Sequence, residues 1–386
     1  MLSILFLILF SYELSYSQKI IANEYIGYMQ IIQMKAIVGA PPKEVIRPIN
    51  QMLSFSWFPS LFFDTDINNK IMELQIAFNY VNYHSYEIAD KFCMYNDNKS
   101  YCIDKLFYYI LEGDNRIKSE NIGFGFAYYF PDEKNSIVHQ LKAQGLIDHL
   151  SFALIPYNSK NKNGIIYFGG IPLMEEEKYK YKAVCKEDFN TVYWGSQLNK
   201  IIFNDYEYSV NNTVYFLSAK GNFIIPEDVM NELTNNTIVH QYFIDNRCEL
   251  AIQTGRHFIK CSTQAYKEFY TQYIKLIYFV IDNNYFRFSF NELFTCVFDS
   301  CVSNFYSYDE MSSQWIFGNF FLYKYGVNFD YENNTITFLS NDPFVYQKPI
   351  KITHNIMKNL FVIISILVGI LLIYNIIIKY KEEKTH

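Results

Sequence analysis

Cysteines and Asn-x-Ser/Thr triplets carry the most legible chemistry in this 386-residue chain. Cys93 and Cys102 flank the polar stretch Asn96-Asp97-Asn98-Lys99, a spacing that fits a stapled hairpin. Cys185, Cys248, Cys261, Cys296 and Cys301 complete the set of seven. No Cys-x-x-Cys and no His-x-x-x-His occurs, so neither a metal centre nor a cofactor is expected. Asn98, Asn211, Asn235 and Asn333 each open a triplet that accepts N-glycans in an exported chain, on exposed loops. Nucleophile signatures are missing: there is no Gly-x-Ser-x-Gly and no His-Glu-x-x-His. Gly123-Phe124-Gly125 is only two-thirds of a dinucleotide fingerprint.

The two ends bear on where this chemistry takes place. Residues 1–17 open with an apolar run, Leu2 to Phe10, too short to span a bilayer and followed by small residues at Ser15 and Ser17. This pattern predicts a signal peptide. Leu360 to Ile378 is an uncharged stretch of about 28 Å as a helix, long enough for a hydrocarbon core. Lys379, Lys381 and Lys384 follow it, which predicts a transmembrane helix over 360–378 and a cytoplasmic tail over 379–386. The body is then lumenal or extracellular, in the secretory pathway, as in a single-pass type I membrane protein, where disulfides persist. Net charge is −6 with no basic block outside the tail, which excludes nucleic acid as an expected partner. Nothing in the sequence sets the oligomeric state.

Between the ends, short apolar runs bounded by Asn, Gly, Asp and Ser predict an all-β body with a few short helices. One helix is expected over Asn135–Ile147, with Ile137, Val138, Leu141 and Leu146 on a shared face, and another over Pro226–Thr234. Trp194 lies near the midpoint, where two lobes can join: 18–190 and 191–345, followed by a juxtamembrane linker over 346–359.

Gly39-Ala40-Pro41-Pro42, then Asn50-Gln51-Met52 eleven residues after Gly39, then Trp57-Phe58-Pro59-Ser60, resembles the first lobe of the pepsin-like aspartic proteases. Further matches follow in family order: Phe63-Asp64, Glu120 to Ala127, Gly145-Leu146-Ile147, Phe168-Gly169-Gly170-Ile171, Tyr193-Trp194 and Trp315-Ile316-Phe317-Gly318-Asn319. They cover roughly Ile37 to Phe338 and imply the bilobal acid-protease fold. By position in that family, Cys261 pairs with Cys301, which leaves Cys248 to pair with Cys296 and Cys185 unpaired.

The resemblance also implies where two catalytic carboxylates would sit. In such a dyad one carboxylate takes a proton from water while its protonated partner polarises the peptide carbonyl. Asn50 holds the first position; Leu217, nine residues before Pro226, holds the second. An amide is no useful base, and an alkyl group carries no polar atom. The threonines that tie the family's two loops together become Gln51 and Ser218, and the loop glycines become Met52 and Ala219. The Ser that orients the first carboxylate is Leu53, and the flap Tyr is Phe78, facing the family's Trp position at Trp57. Lys220 in the old cleft could meet an acidic ligand. Asp64 as a displaced catalytic residue would leave Trp57 on the wrong side of the loop. The expectation is a catalytically inactive, membrane-anchored family member that binds a peptide or protein between its lobes. An active aspartic endopeptidase with an unusual site and a structural surface glycoprotein are the alternatives.

Overall fold

The computed structural model describes residues 19–347 apart from 29–30, 39–41, 51–55, 60–69, 79–80, 97–98, 113–123, 127–135, 158–162, 189–192, 204–205, 219, 236–246, 254, 273–275, 290–291 and 309–313. The signal segment 1–17, the span 360–378 and the tail 379–386 lie outside the described residues, and so does the linker after Gln347. Gly39, Gln51, Met52, Leu53, Asp64, Asn98 and Ala219 also lie outside them. The chain divides into two units, Met1–Val345 and Tyr346–His386; the account below concerns the first. Among the described residues no helix is long and apolar enough to cross a membrane.

Two sheets make up the first unit. One runs β11 (Tyr181–Lys186), β23 (Thr335–Ser340), β22 (Gly326–Asp330), β9 (Ser151–Pro156), β10 (Gly164–Phe168), β1 (Ile21–Tyr28), β2 (Ile31–Val38), β6 (Val81–Asn96), β7 (Lys99–Glu112) and β4 (Trp57–Pro59). β3 (Lys43–Asn50) branches from β2 and pairs with β8 (Phe124–Gly125), while β5 (Lys70–Phe78) branches from β6. The other sheet runs β15 (Cys248–Gln253), β16 (Arg256–Ser262), β20 (Ser300–Tyr308), β14 (Phe223–Ile224), β21 (Trp315–Phe317), β13 (Tyr206–Phe216), β12 (Gly195–Phe203), β17 (Leu276–Ile281) and β18 (Asn284–Ser289). β19 (Phe294–Val297) lies beside β20.

The first sheet takes strands from both ends of the chain, because β22 and β23 return to lie between β11 and β9. Its strands also begin at Ile21, earlier than the family motifs, which start near Ile37. β9 buries Ser151 to Ile155 without alternation because both of its faces are covered. Phe152 faces Trp194, Phe329 and Tyr331, while Ala153 and Ile155 pack with Tyr167 and Leu339. Where only one face is covered the period-2 pattern returns, as in β11, which buries Ala183 and Cys185 and exposes the residues between them.

Local signals explain several boundaries. The Ile137–Ala143 helix starts at Ser136, whose hydroxyl accepts from the His139 N–H at 3.3 Å, an N-cap bond. It ends where Gly145, at φ +66°, lets the Leu146 N–H reach back to the Leu141 carbonyl, so Leu146 falls outside the helix. The second expected helix is present as Glu227–Asn235. A third, Thr263–Gln272, lies outside the sequence expectations; it starts at Ser262, whose hydroxyl accepts from the Ala265 N–H at 3.2 Å, an N-cap bond. Asp282 and Asn283 both take positive φ, 44° and 65°, as a two-residue turn between β17 and β18 requires.

The disulfides confirm one sequence expectation and overturn two. Cys93–Cys102 closes the β6–β7 hairpin at directly opposed positions. The other bridges are Cys248–Cys261 and Cys296–Cys301, in place of the expected Cys261–Cys301 and Cys248–Cys296. Strand register is the reason. Cys248 opposes Cys261, Cys261 opposes Cys301, and Cys301 opposes Cys296, so the four form one row across β15, β16, β20 and β19. Cys248 and Cys296 stand at opposite ends of that row, about 14 Å apart at ordinary strand spacing and beyond the reach of a disulfide. Cys185 is unpaired and buried, as expected, with its thiol donating to the Ile281 carbonyl at 3.7 Å.

Candidate functional site: the interlobe junction

Each half of the unit carries a strand to the junction by the same device. In the first half, β3 runs antiparallel to β2 and its last two residues pair in parallel with β8, Ile49 with Phe124 and Asn50 with Gly125. The Gly125 N–H then donates to the buried Ser56 hydroxyl at 3.2 Å, anchoring the far side of the loop that follows Asn50. In the second half, the end of β13 pairs in parallel with β21, and β21 runs antiparallel to β14. The chain leaves β13 through Leu217 and Ser218.

The loop after β13 is held closely. The Leu217 N–H donates to the Phe317 carbonyl at 3.1 Å, and the Lys220 N–H closes a turn onto the Leu217 carbonyl at 3.1 Å. The buried Asn319 donates from its side-chain amide to the Ser218 carbonyl at 2.6 Å and from its backbone to the Lys220 carbonyl at 2.8 Å. A Cβ on Gly318 would run into the carbonyl oxygens of Lys220 and Asn222, so Gly318 is required for the loop to pass this close.

The two halves are bonded to each other at this point: the Ser218 hydroxyl, fully buried, donates to the Ile49 carbonyl at 2.5 Å. The Ile32 N–H lies 3.5 Å from the Ser218 carbonyl. Position 50 and position 217 are each chain-adjacent to a partner in the serine bond, so the backbone sets them on its two flanks. Replacing Ser218 with alanine is expected to cost roughly 1–3 kcal/mol, the usual penalty for a buried hydrogen bond lost on one side. Urea unfolding of Ser218→Ala checks this; an unchanged midpoint would mean the bond contributes nothing.

Each half thus has a parallel strand pair, and the loop after β13 is bonded to the end of β3. A eukaryotic aspartyl protease family model matches residues 118–340, more than half of the chain. The chain belongs to the eukaryotic aspartyl protease family. Solved structures agree on the pepsin-like bilobal fold. The aspartic proteinase from Irpex lacteus is similar at a TM-score of 0.63 and 11% identity, over 85% of this chain and 99% of that one. Basic 7S globulin from soybean is similar at 0.64 and 10%, over 85% and 96%. Conglutin gamma, a basic 7S globulin from lupine seeds, is similar at 0.65 and 10%, over 84% and 96%. Comparison with the curated proteins gives no match.

Within this aspartyl protease frame, Leu217 is buried in an apolar cluster with Ile224, Tyr306 and Ile316, bordered by Tyr193, Tyr215, Phe258 and Tyr308. Asn50 closes β3, and Phe78 closes β5 opposite Val81, at the base of a hairpin. Trp57 starts β4, paired in parallel with Tyr109 on β7. Lys220 is half-buried and held through its backbone as described. Asn211, at φ +52°, and Asn333 are exposed, and Asn235 ends its helix. Among the described residues no group of three His, Cys, Asp or Glu could hold a metal ion.

The carboxyl groups with displaced pKa values lie away from Leu217 and all move downward. Burial works to raise each one and is outweighed: by Lys324 at Glu292, by Asn333 and His149 at Asp330, and by the Leu150 N–H, Lys142 and His149 at Glu332. A proton-sharing dyad instead needs one member raised. The same shifts set an acid limit on stability. A carboxyl whose folded pKa is depressed stabilises the fold above its unfolded value and loses that contribution as pH falls through the folded value. Thermal midpoints are therefore expected to fall below about pH 4, and Asp330→Asn is expected to flatten that slope. An identical slope in the variant would remove Asp330 from the account.

The sequence reading missed what surrounds Leu217. Ile224, Tyr306 and Ile316 come from three separate strands, and no spacing announces that they meet.

Proposed function

We propose that this aspartyl protease family member is a pseudoprotease, anchored to a membrane through residues 360–378, that binds a peptide or protein along the groove between its lobes. The observation that carries the reading is the Ser218–Ile49 bond, which keeps the family's loop-to-loop link while the flanking positions hold Asn50 and Leu217. The apolar surroundings of Leu217 favour a side chain without charge and disfavour a carboxylate. Fold is a weak guide to activity, and similar structures include seed globulins as well as a proteinase. An extended chain would be held by strand-like hydrogen bonds, with specificity from the side chains lining the groove.

The signal peptide over 1–17, the lobes over 18–190 and 191–345 and the glycans at exposed Asn211 and Asn333 belong to this reading. A random peptide library panned on the soluble part of the chain tests it. Enrichment of extended peptides, lost when a bulky residue replaces Lys220, supports groove binding. Failure to enrich any sequence, with the fold intact, favours a structural surface glycoprotein instead.

A further inference from the structure

The row of four cysteines leaves one neighbouring pair unjoined. Cys261 and Cys301 are directly opposed on β16 and β20, yet each is bonded outward, to Cys248 and to Cys296. Directly opposed residues on antiparallel strands have side chains on one face and Cα atoms about 4.5–5.5 Å apart, within disulfide range. The central pair can therefore also form a bridge. The row is unequally exposed: Cys296 is exposed, whereas Cys248, Cys261 and Cys301 are buried. An incoming thiol thus has one accessible sulfur, at the end of the row. Beside it the short turn Phe298-Asp299 leaves Phe298 94% exposed at φ +54°.

We propose that Cys296 is a thiol-exchange site, taking a small thiol or a protein dithiol as co-substrate, and that exchange there moves the bridge inward to Cys261–Cys301. The incoming thiolate attacks the Cys296 sulfur, forming a mixed disulfide and releasing Cys301 as a thiolate. Cys301 attacks the Cys261 sulfur, forming Cys261–Cys301 and releasing Cys248 as a thiolate, which takes up a proton. Cys301, Cys261 and Cys248 stand in line across three strands, the order that attack, central and leaving sulfur require. With a dithiol, its second thiol displaces Cys296 from the mixed disulfide. The sum is one dithiol oxidised to a disulfide and two protein disulfides converted to one disulfide and two thiols. β15 is the last strand of its sheet, and this step removes its covalent tie to β16. Cys185 takes no part: it sits on β11 in the other sheet, and burial, with Asp282, raises its thiol pKa.

Tryptic mapping of the full chain reads the outcome directly. The chain has basic residues at Arg247, Arg256, Lys260, Lys267, Arg287 and Lys324, so Cys296 and Cys301 share one peptide while Cys248 and Cys261 fall on two others. Native protein yields 248–256 linked to 261–267. After one equivalent of dithiothreitol and quenching with N-ethylmaleimide, the expected product is 261–267 linked to 288–324, with Cys248 and Cys296 alkylated. With glutathione, the first adduct is expected on Cys296. Loss of either native bridge without the new link, or a first adduct on Cys248, would overturn the proposal. The double variant Cys248→Ser, Cys296→Ser gives an independent reading: it is expected to form Cys261–Cys301 in oxidising conditions, and two persistent thiols in folded protein would count against it.

Discussion

Residues 18–345 are expected to leave peptide substrates intact at every pH from acidic to neutral, and pepstatin-type peptides are expected to change nothing. Loss of one well-placed general base costs on the order of 10²–10⁴ in rate. On the proposed reading the dyad positions hold the amide of Asn50 and the buried alkyl group of Leu217, which supply neither the base nor the acid that would hold the attacking water. Stability must be followed alongside, because the depressed pKa values of Asp330 and Glu332 predict a loss of stability in the acid range used for such assays. Wild-type cleavage in folded protein, sensitive to pepstatin, would establish an active endopeptidase with an unusual site. Cleavage gained by Asn50→Asp with Leu217→Asp would show that the groove still admits a substrate.

Replacing Trp194 with alanine is expected to lower stability by roughly 3–5 kcal/mol, the range for a fully buried large aromatic. Trp194 is inaccessible and donates from its indole nitrogen to the Phe126 carbonyl at 3.1 Å. The Tyr331 hydroxyl donates to the same carbonyl at 3.2 Å. Its ring centroid lies 4.7 Å from that of Tyr331, 5.1 Å from Phe329 and 6.2 Å from Phe152. These partners come from two stretches far apart in the chain, Phe126 and Phe152 in one and Phe329 and Tyr331 in the other, so the cavity would open where segments distant in sequence meet. Trp194→Phe keeps most of the apolar area and loses the indole bond, and is expected to cost about a third as much. Chemical denaturation of both variants checks the ranking; an alanine variant within about 1 kcal/mol of wild type would mean that the junction packs elsewhere.

Much of this was legible before any coordinates. The Trp315-Ile316-Phe317-Gly318 motif pointed to the family, and Gly318 is where the loop from Leu217 passes too closely for a Cβ. Ser136 and Gly145 bracketed a helix through capping chemistry that acts within a few residues. The helix at Thr263–Gln272 escaped notice because only the Ser262 cap marks it: no proline opens it and no glycine follows its end, and it packs on β16 and β20.

The sequence by itself determined the family framework, through motifs in family order, and the side-chain identities at Asn50 and Leu217 on which the proposed loss of activity rests. It also determined that Cys93 and Cys102 meet, since a short hairpin brings near neighbours together. Tertiary structure alone decided that Cys261 stands opposite Cys301, which joins two local bridges into one row, and that Ser218 reaches Ile49. Both depend on the register of strands remote in sequence, where a shift of one residue turns every side chain to the opposite face.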